Sequence, residues 1–171
     1  MSRGYVEAFG STVWNGSNAN CQMLNSQMEQ FRVYSLSKRF DNLSLWAKYA
    51  ADHSGYCLEF ANEGPLFEHV MEVVYGEYAP FDVNNSDKSA EFLVYKRPEW
   101  SNEEEVRLIR ARGSGPQVKI DPRWLTRIIL GRNMSPDREL QIRQWTKQRD
   151  APLLIVRAHF DELHQEIRVR D

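Results

Sequence analysis

The 171-residue chain has only two cysteines, and it lacks any apolar run of the roughly 18 residues that a bilayer crossing needs. Cys21 and Cys57 are far apart and neither belongs to a CxxC pair, which predicts reduced thiols and disfavours a disulfide framework or a zinc site. The first residues also lack the apolar core of a secretory signal. These absences predict a cytoplasmic protein that does not enter a membrane.

Motifs of several large enzyme classes are absent as well. The sequence has no GxGxxG, no P-loop and no GxSxG, which disfavours dinucleotide-fold dehydrogenases, P-loop enzymes and α/β-hydrolases. Histidine is scarce, and its four positions show no metal-ligand spacing with cysteines or carboxylates. These positions are His53, His69, His159 and His164. No metal site is therefore predicted.

The composition is that of an ordinary globular protein, with 42% hydrophobic and 27% charged residues. No linker, internal repeat or low-complexity tract divides the chain. Residues 1–171 are therefore predicted to form a single domain, long enough to bury its own core.

The periodicity of apolar residues predicts about eight strands and three or four helices. Strands are indicated at FRVYSLS, YCLEFA, MEVVYGEY, EEVRLIRA, PQVKI, RWLTRIILG, PLLIVRAHF and QEIRVR. Helices are indicated at ANCQMLNSQMEQ, LSLWAKYAADH, SDKSAEFLVYKR and PDRELQIRQWTKQRD. Because strands often follow one another without a helix between them, we predict an α+β fold with a largely antiparallel, mixed sheet.

Capping and turn residues predict where several of these elements begin and end. Asp41 or Asn42 is suited to cap the second helix, which we expect to end at Gly55. Ser135 is suited to cap the last helix, with Pro136 at its first position. Two hairpins are predicted, one joining EEVRLIRA to PQVKI and one joining the last two strands around DELH.

Charge is distributed unevenly along the chain. Residues 1–105 hold 8 Lys+Arg and 16 Asp+Glu, whereas residues 106–171 hold 14 and 8. A basic half can mark a face that binds phosphates or nucleic acid. The alternative is that two oppositely charged halves neutralise one another within one fold, which the acidic residues interrupting the basic half favour.

The stretch WSNEEEVRLIR places three glutamates before an apolar strand. On a strand, Glu103, Glu105 and Arg107 would point to one polar face, because side chains alternate. Val106 and Leu108 would point to the other face and pack inward. The two carboxylates would lie roughly 6 to 7 Å apart, which suits acid/base catalysis or ribose binding. The alternative is a solvated Glu–Arg ladder worth under about 1 kcal/mol per pair.

Two further pairs of residues, together with Arg107, are candidates for ligand binding. Ser35 and Ser37 share one face of the FRVYSLS strand. Trp46 and Tyr49 lie three residues apart on a predicted helix, where they could stack on an adenine or nicotinamide ring. Such aromatic pairs more often bury their area against a sheet, so both interpretations stay open.

The stretch SLSKRFDNLSLWAKYAADHSGYCLEF resembles an uncharacterised bacterial family catalogued as domain of unknown function 2971. The positions that fit this first signature are Ser35, Asp41, Asn42, Trp46, Tyr49, His53, Gly55, Cys57, Leu58 and Phe60. A segment of the form K…W..E.E.R is matched by Lys96, Trp100, Glu103, Glu105 and Arg107, and ILGxxMSP is matched by residues 129–136. The resemblance covers about residues 31 to 157. Members of the family begin with a further region leading to an FNDPFE-like segment, for which this chain has no counterpart, so a short variant or a fragment is expected.

The serine strand and the glutamate strand together look like the arrangement of arginine-, serine- and glutamate-type mono-ADP-ribosyltransferases. This resemblance implies that Ser35 or Ser37 orients NAD and that Glu105, with Glu103, is catalytic. A carboxylate beside the anomeric carbon would stabilise the positive charge that develops there. The first-strand arginine of that superfamily has no counterpart here, because Arg32 lies on the serine strand itself.

Three functions are therefore open from the sequence. The first is an NAD- or nucleotide-handling enzyme, related to ADP-ribosyltransferases, that acts in bacterial toxin or phage-defence systems. The second is a non-enzymatic module whose basic half binds nucleic acid or an acidic protein. The third is a truncated family member that serves as an interaction unit and forms a homodimer through an apolar surface.

Overall fold

In the computed structural model of the protein, residues 4–6, 29–64, 67–77, 93–111 and 120–170 are described. Strands β1 to β10 span Gly4–Val6, Phe31–Ser37, Tyr56–Phe60, Val70–Glu72, Val74–Tyr75, Tyr95–Lys96, Glu105–Ala111, Leu125–Leu130, Leu154–Asp161 and Glu166–Arg170. Helices α1 and α2 span Leu43–Tyr49 and Pro136–Thr146. Short 3-10 helices span Phe67–His69, Pro98–Glu103 and Pro122–Trp124.

Eight of the strands form one sheet in the order β10-β9-β8-β3-β1-β2-β7-β4. Neighbours in this sheet are antiparallel except β8 and β9, which run parallel with α2 between them in sequence. Strands β5 and β6 form a separate parallel pair. The predicted α+β class and its largely antiparallel, mixed sheet are confirmed. Over these same segments, no helix is long and apolar enough to span a membrane.

Helix α1 begins where the sequence indicates and ends earlier. The Asn42 side chain caps it, accepting the backbone N–H of Ser44 at 2.9 Å and that of Leu45 at 3.4 Å. The expected end at Gly55 is wrong, because α1 stops at Tyr49. The next turn carries three successive residues with positive φ, which cannot continue a right-handed helix. They are Ala51 at 46°, Asp52 at 49° and His53 at 62°.

Helix α2 is capped as predicted: the Ser135 hydroxyl accepts the backbone N–H of Arg138 at 3.4 Å, and Pro136 occupies the first helical position. The hairpin of β9 and β10 is also confirmed. The helix predicted at residues 86–97 is wrong at its end, because Tyr95–Lys96 is strand β6. The rest of that helix, nearly all of the first predicted helix and most of PQVKI lie outside the described residues.

The core is divided between the two faces of the sheet. On one face, Trp46 of α1 packs in a cluster with Cys57 and Ile129. A separate cluster contains Leu36 and Val106, which are paired across β2 and β7. Because side chains alternate along a strand, the residues that flank Leu36 and Val106 point to the opposite face of the sheet. That alternation positions the polar side chains of the candidate site.

The end of β8 is tied closely to the turn that follows α1. The Gly131 N–H donates to the Gly55 carbonyl at 2.8 Å, and the Asn133 N–H donates to the His53 carbonyl at 3.0 Å. These bonds bring two backbone segments together with no room for a side chain at residue 131. The positive-φ turn is therefore fixed by the strand beside it.

Candidate functional site

Two glutamates are buried where the 3-10 helix Pro98–Glu103 meets β7. Glu103 is the last residue of that helix and is 5% exposed, whereas Glu105 starts β7 and is 7% exposed. Glu104 between them has a left-handed backbone with φ of 43°. The prediction that Glu103 shares a strand face with Glu105 and Arg107 is therefore wrong, because the strand begins only at Glu105. The alternative of a solvated Glu–Arg ladder is also wrong, because both carboxylates are buried.

The two least exposed of the cations that hold these carboxylates are Lys96 and Arg107. Lys96 bridges the two carboxylates: its ammonium contacts Glu103 Oε2 and lies 2.8 Å from Glu105 Oε2. Arg107 binds Glu105 with two bonds, Nε to Oε1 at 2.7 Å and Nη2 to Oε2 at 3.1 Å. Paired guanidinium bonds of this kind fix both geometry and charge. The desolvation cost of burying the Glu105 carboxylate is thus offset by ion pairs on both of its oxygens.

The serine strand lies directly beside the acid-bearing strand. Strands β2 and β7 are antiparallel neighbours, with Ser37 opposite Glu105 and Ser35 opposite Arg107. Ser35 lies near enough to the Glu105 carboxylate to contribute to the lowering of its pKa, and the Ser37 hydroxyl donates to the Glu103 backbone carbonyl at 2.8 Å. Both predicted serines therefore lie beside the predicted acids, across the β2–β7 pairing.

Of the two aromatic candidates, one belongs to the site and the other to the hydrophobic core. The Tyr49 hydroxyl donates to Glu103 Oε1 at 3.4 Å, so Tyr49 joins the site. Trp46 does not join it: its ring is 3% exposed, stacks on His53 at 6.4 Å between centroids, and donates from Nε1 to the Phe40 carbonyl at 2.5 Å. Trp46, expected as a ligand-stacking residue, is a core residue in this fold.

We define the polar cluster as the residues that surround the two buried carboxylates. Its members are Ser35, Ser37, Lys48, Tyr49, Tyr75, Lys96, Trp100, Glu103, Glu105 and Arg107. Four of these were not assigned as site residues from the sequence: Lys48, Tyr75, Lys96 and Trp100. The Tyr75 hydroxyl accepts the Glu105 backbone N–H at 2.7 Å. The sequence pattern K…W..E.E.R includes Lys96 and Trp100, and it was the signal that could have identified them as site residues.

Glu105 is ionised at neutral pH in this environment. Burial alone would raise its pKa, but hydrogen bonds from Arg107, Lys96 and Ser35 outweigh that effect and lower the pKa to about 2. A carboxylate with so low a pKa cannot act as a general acid near neutrality. It can accept hydrogen bonds from sugar hydroxyls or stabilise a positive charge that develops beside it.

This lowered pKa predicts an acid-sensitive contribution to stability. The folded pKa lies below the ordinary value of 4.5, so the stability conferred by ionised Glu105 is fully present above about pH 4.5. It is lost as the pH falls from about 4.5 to about 2. Urea unfolding of the wild type and of Glu105→Gln at several pH values measures this. We expect the difference in unfolding free energy between them to shrink with acidification; a difference that stays constant would contradict the assignment.

Several arginines of the basic half pair with carboxylates. Arg127 pairs with Glu59, whose side chain is 3% exposed. Further pairs lie within the basic half itself: Arg123–Asp121, Arg143–Glu139, Arg157–Glu139 and Arg168–Asp161. These contacts favour neutralisation within the fold over a continuous phosphate-binding face, and the Arg127–Glu59 and Arg107–Glu105 pairs link the two halves.

Neither a metal-binding group nor the pocket on the β9–β10 hairpin points to a second centre. Among the segments that the structure covers, no three His, Cys, Asp or Glu side chains form a metal-binding group. A pocket of about 540 Å³ lies on the β9–β10 hairpin, lined in part by His159 and Arg168. It is remote in the sheet order from β2 and β7, and Arg168 there already pairs with Asp161 and Glu166.

No family model, curated protein or solved structure matches this chain. Function is therefore inferred from the polar cluster and from the sequence patterns that led to it.

Proposed function

We propose that the protein is an NAD- or nucleotide-handling enzyme with ADP-ribosyltransferase-like chemistry, in which Glu105 is the catalytic carboxylate. The pairing of β2 with β7, which places the two serines beside the ionised Glu105, carries this proposal. Ser35 orients the ribose-bearing ligand against Glu105, and Ser37 supports the backbone at Glu103. Action in a toxin or phage-defence system is part of the proposal.

The proposal includes membership of the family catalogued as domain of unknown function 2971. Its support is that residues spaced as K…W..E.E.R belong to one spatial cluster. Lys96 contacts both glutamates, Arg107 contacts Glu105, and Trp100 lies within 5.6 Å of the Lys96 ammonium. The convergence of this sequence signature on one carboxylate pair supports a shared functional role for its residues.

The proposed step breaks the N-glycosidic bond between the nicotinamide nitrogen and the ribose anomeric carbon. The bonding electron pair leaves with nicotinamide, and the ribose gains positive charge. The Glu105 carboxylate stabilises that charge, because a fixed anion in a buried site interacts more strongly than it would in water. Water or an acceptor hydroxyl then adds to the anomeric carbon and releases one proton. The products are nicotinamide and a hydrolysed or transferred ADP-ribose group.

Nicotinamide release from NAD tests the proposal. We expect Glu105→Gln to lower the rate by about 100-fold or more, because one group that stabilises transition-state charge is removed. Glu104→Gln is the matched control: Glu104 is adjacent but exposed and paired with Arg39, so its release rate should equal that of the wild type. Thermal melting checks that both variants are folded. Equal release by wild type and Glu105→Gln, or none by the wild type, would refute the proposal.

A second candidate function is that of an interaction unit without enzymatic activity, in which the polar cluster only stabilises the fold. The observation that favours it is that both Glu105 oxygens already accept bonds from Lys96 and Arg107. A ligand would have to displace one of these donors. On this alternative, Glu105→Gln lowers the melting temperature although neither protein releases nicotinamide. A homodimer is part of this candidate, and size-exclusion chromatography with light scattering detects it.

A further inference from the structure

Lys48 is the most solvent-accessible charged residue of the polar cluster. Its side chain is 41% exposed, whereas those of Lys96 and Arg107 are 19% and 17% exposed. The side chains of Glu103 and Glu105 are only 7% and 8% exposed. Solvent, and any ligand, therefore meets this cluster first at Lys48.

The Lys48 ammonium is held loosely compared with that of Lys96. It lies 3.3 Å from Glu103 Oε1, at the long end of the hydrogen-bond range. Its other contacts are with ring faces, at 3.6 Å from the Trp100 centroid and 4.7 Å from the Tyr49 centroid. Such cation–π contacts are worth about 0.5–1 kcal/mol at exposed sites. Lys48 can therefore leave this position at small cost, and Glu103 keeps Lys96.

The net charge of the polar cluster favours the binding of an anion. Three cations, Lys48, Lys96 and Arg107, surround the two buried carboxylates. Glu104, the third acid of the run, pairs with Arg39 instead. The cluster therefore carries one surplus positive charge, and its most exposed holder is Lys48.

We propose that Lys48 binds a phosphate group of a nucleotide and that Trp100 stacks on its base, so that these two residues form the entrance to the polar cluster. When the ammonium turns to the phosphate, it uncovers the face of the Trp100 ring that it occupies without ligand. An aromatic base can then take that face, since base–aromatic stacking is worth about 1–3 kcal/mol. This inference rests on the proposed function and adds the residues that select a nucleotide ligand.

Binding of ADP tests this inference separately from catalysis, because ADP has no nicotinamide bond to break. Isothermal titration calorimetry should show ADP binding to the wild type and to Lys48→Arg. Binding to Lys48→Met should be at least about tenfold weaker, the loss expected for one charge-assisted hydrogen bond. Lys147→Met, a lysine that follows α2, is the matched control and should bind as the wild type does. Trp100→Leu should weaken ADP binding while leaving the weaker binding of inorganic pyrophosphate unchanged.

Three results would overturn the inference. They are no ADP binding by the wild type, equal ADP binding by the wild type and Lys48→Met, and pyrophosphate binding as tight as that of ADP. The last result would mean an anion site that does not recognise a base. Lys48-dependent ADP binding by a protein that releases no nicotinamide would refute the proposed reaction and support the nucleotide site.

Discussion

Replacing Lys96 by methionine is expected to destabilise the protein by about 3–5 kcal/mol, the range for removing one partner of a buried ion pair. The reason is that Lys96 alone touches both buried carboxylates, Glu103 and Glu105. Methionine keeps most of the side-chain volume, so the loss of charge dominates over the loss of packing. Glu105 retains Arg107, but Glu103 is left with Lys48, its more distant and more exposed cation.

Equilibrium urea unfolding at neutral pH measures this effect. Lys38→Met is the matched control, because Lys38 pairs with a single glutamate, Glu72, whose side chain is 77% exposed. The same substitution there should cost less than about 1 kcal/mol. If both variants lose stability equally, the buried cluster contributes no more than a surface ion pair and the assignment fails.

A double substitution separates charge from packing. Lys96→Met leaves the buried Glu103 carboxylate without its nearest cation, and adding Glu103→Gln removes the charge of that carboxylate. We expect the double variant to be more stable than the sum of the two single effects predicts, by about 1–3 kcal/mol. Strict additivity would mean that Lys96 and Glu103 do not interact energetically.

Gly131→Ala is expected to destabilise the protein by about 3 kcal/mol, at the upper end of the usual range for overpacking. A Cβ added at Gly131 would lie 2.1 Å from the His53 carbonyl oxygen and 2.7 Å from that of Gly55. Both are backbone atoms, so no rotation of a side chain relieves the overlap. The turn after α1 and the start of β3 would have to move away from β8, which breaks the bond between Gly131 and Gly55.

Thermal and urea unfolding of Gly131→Ala provide the measurement. Gly76→Ala is the control, because among the described neighbours no atom lies within 4 Å of a Cβ built there. That change should alter the unfolding free energy by less than about 0.5 kcal/mol. Comparable effects at the two glycines would contradict the close approach of β8 to the turn.

The alternation of side chains predicted much of the fold and part of the candidate site. The pattern of FRVYSLS puts Ser35 and Ser37 on one face, and the burial of Val106 and Leu108 follows from the same rule in β7. These are local properties that a strand imposes on any sequence. For that reason they could be predicted without knowing which strands are neighbours.

The error at Glu103 has a local cause that the periodicity does not contain. Three glutamates in a row extend a strand pattern backwards by two residues, but Pro98 at the start of a 3-10 helix sets a different geometry up to Glu103. The left-handed backbone of Glu104 then changes the direction of the chain. A non-glycine residue with positive φ is uncommon, and no sequence rule applied to Glu104 indicates one.

Lys96 and Lys48 were missed as site residues because tertiary structure alone brings them to the acids. Lys96 is on β6, outside the main sheet, and Lys48 is on α1, 55 residues before Glu103. Their spacing has no helical or strand period relative to Glu105. The burial of the acids depends on these partners, so it could not be predicted from the acidic run itself.

The position of β1 bears on how the nascent chain folds. β1 lies between β2 and β3 in the sheet but precedes both in the chain. The two halves of the sheet therefore cannot join across β1 until residue 60, the end of β3, has left the ribosome. Before then, β1 and β2 can pair with each other, but the edge of β1 that later pairs with β3 is open. An open strand edge invites pairing with a neighbouring chain. Self-association through this edge is therefore expected while residues up to 60 are still being synthesised.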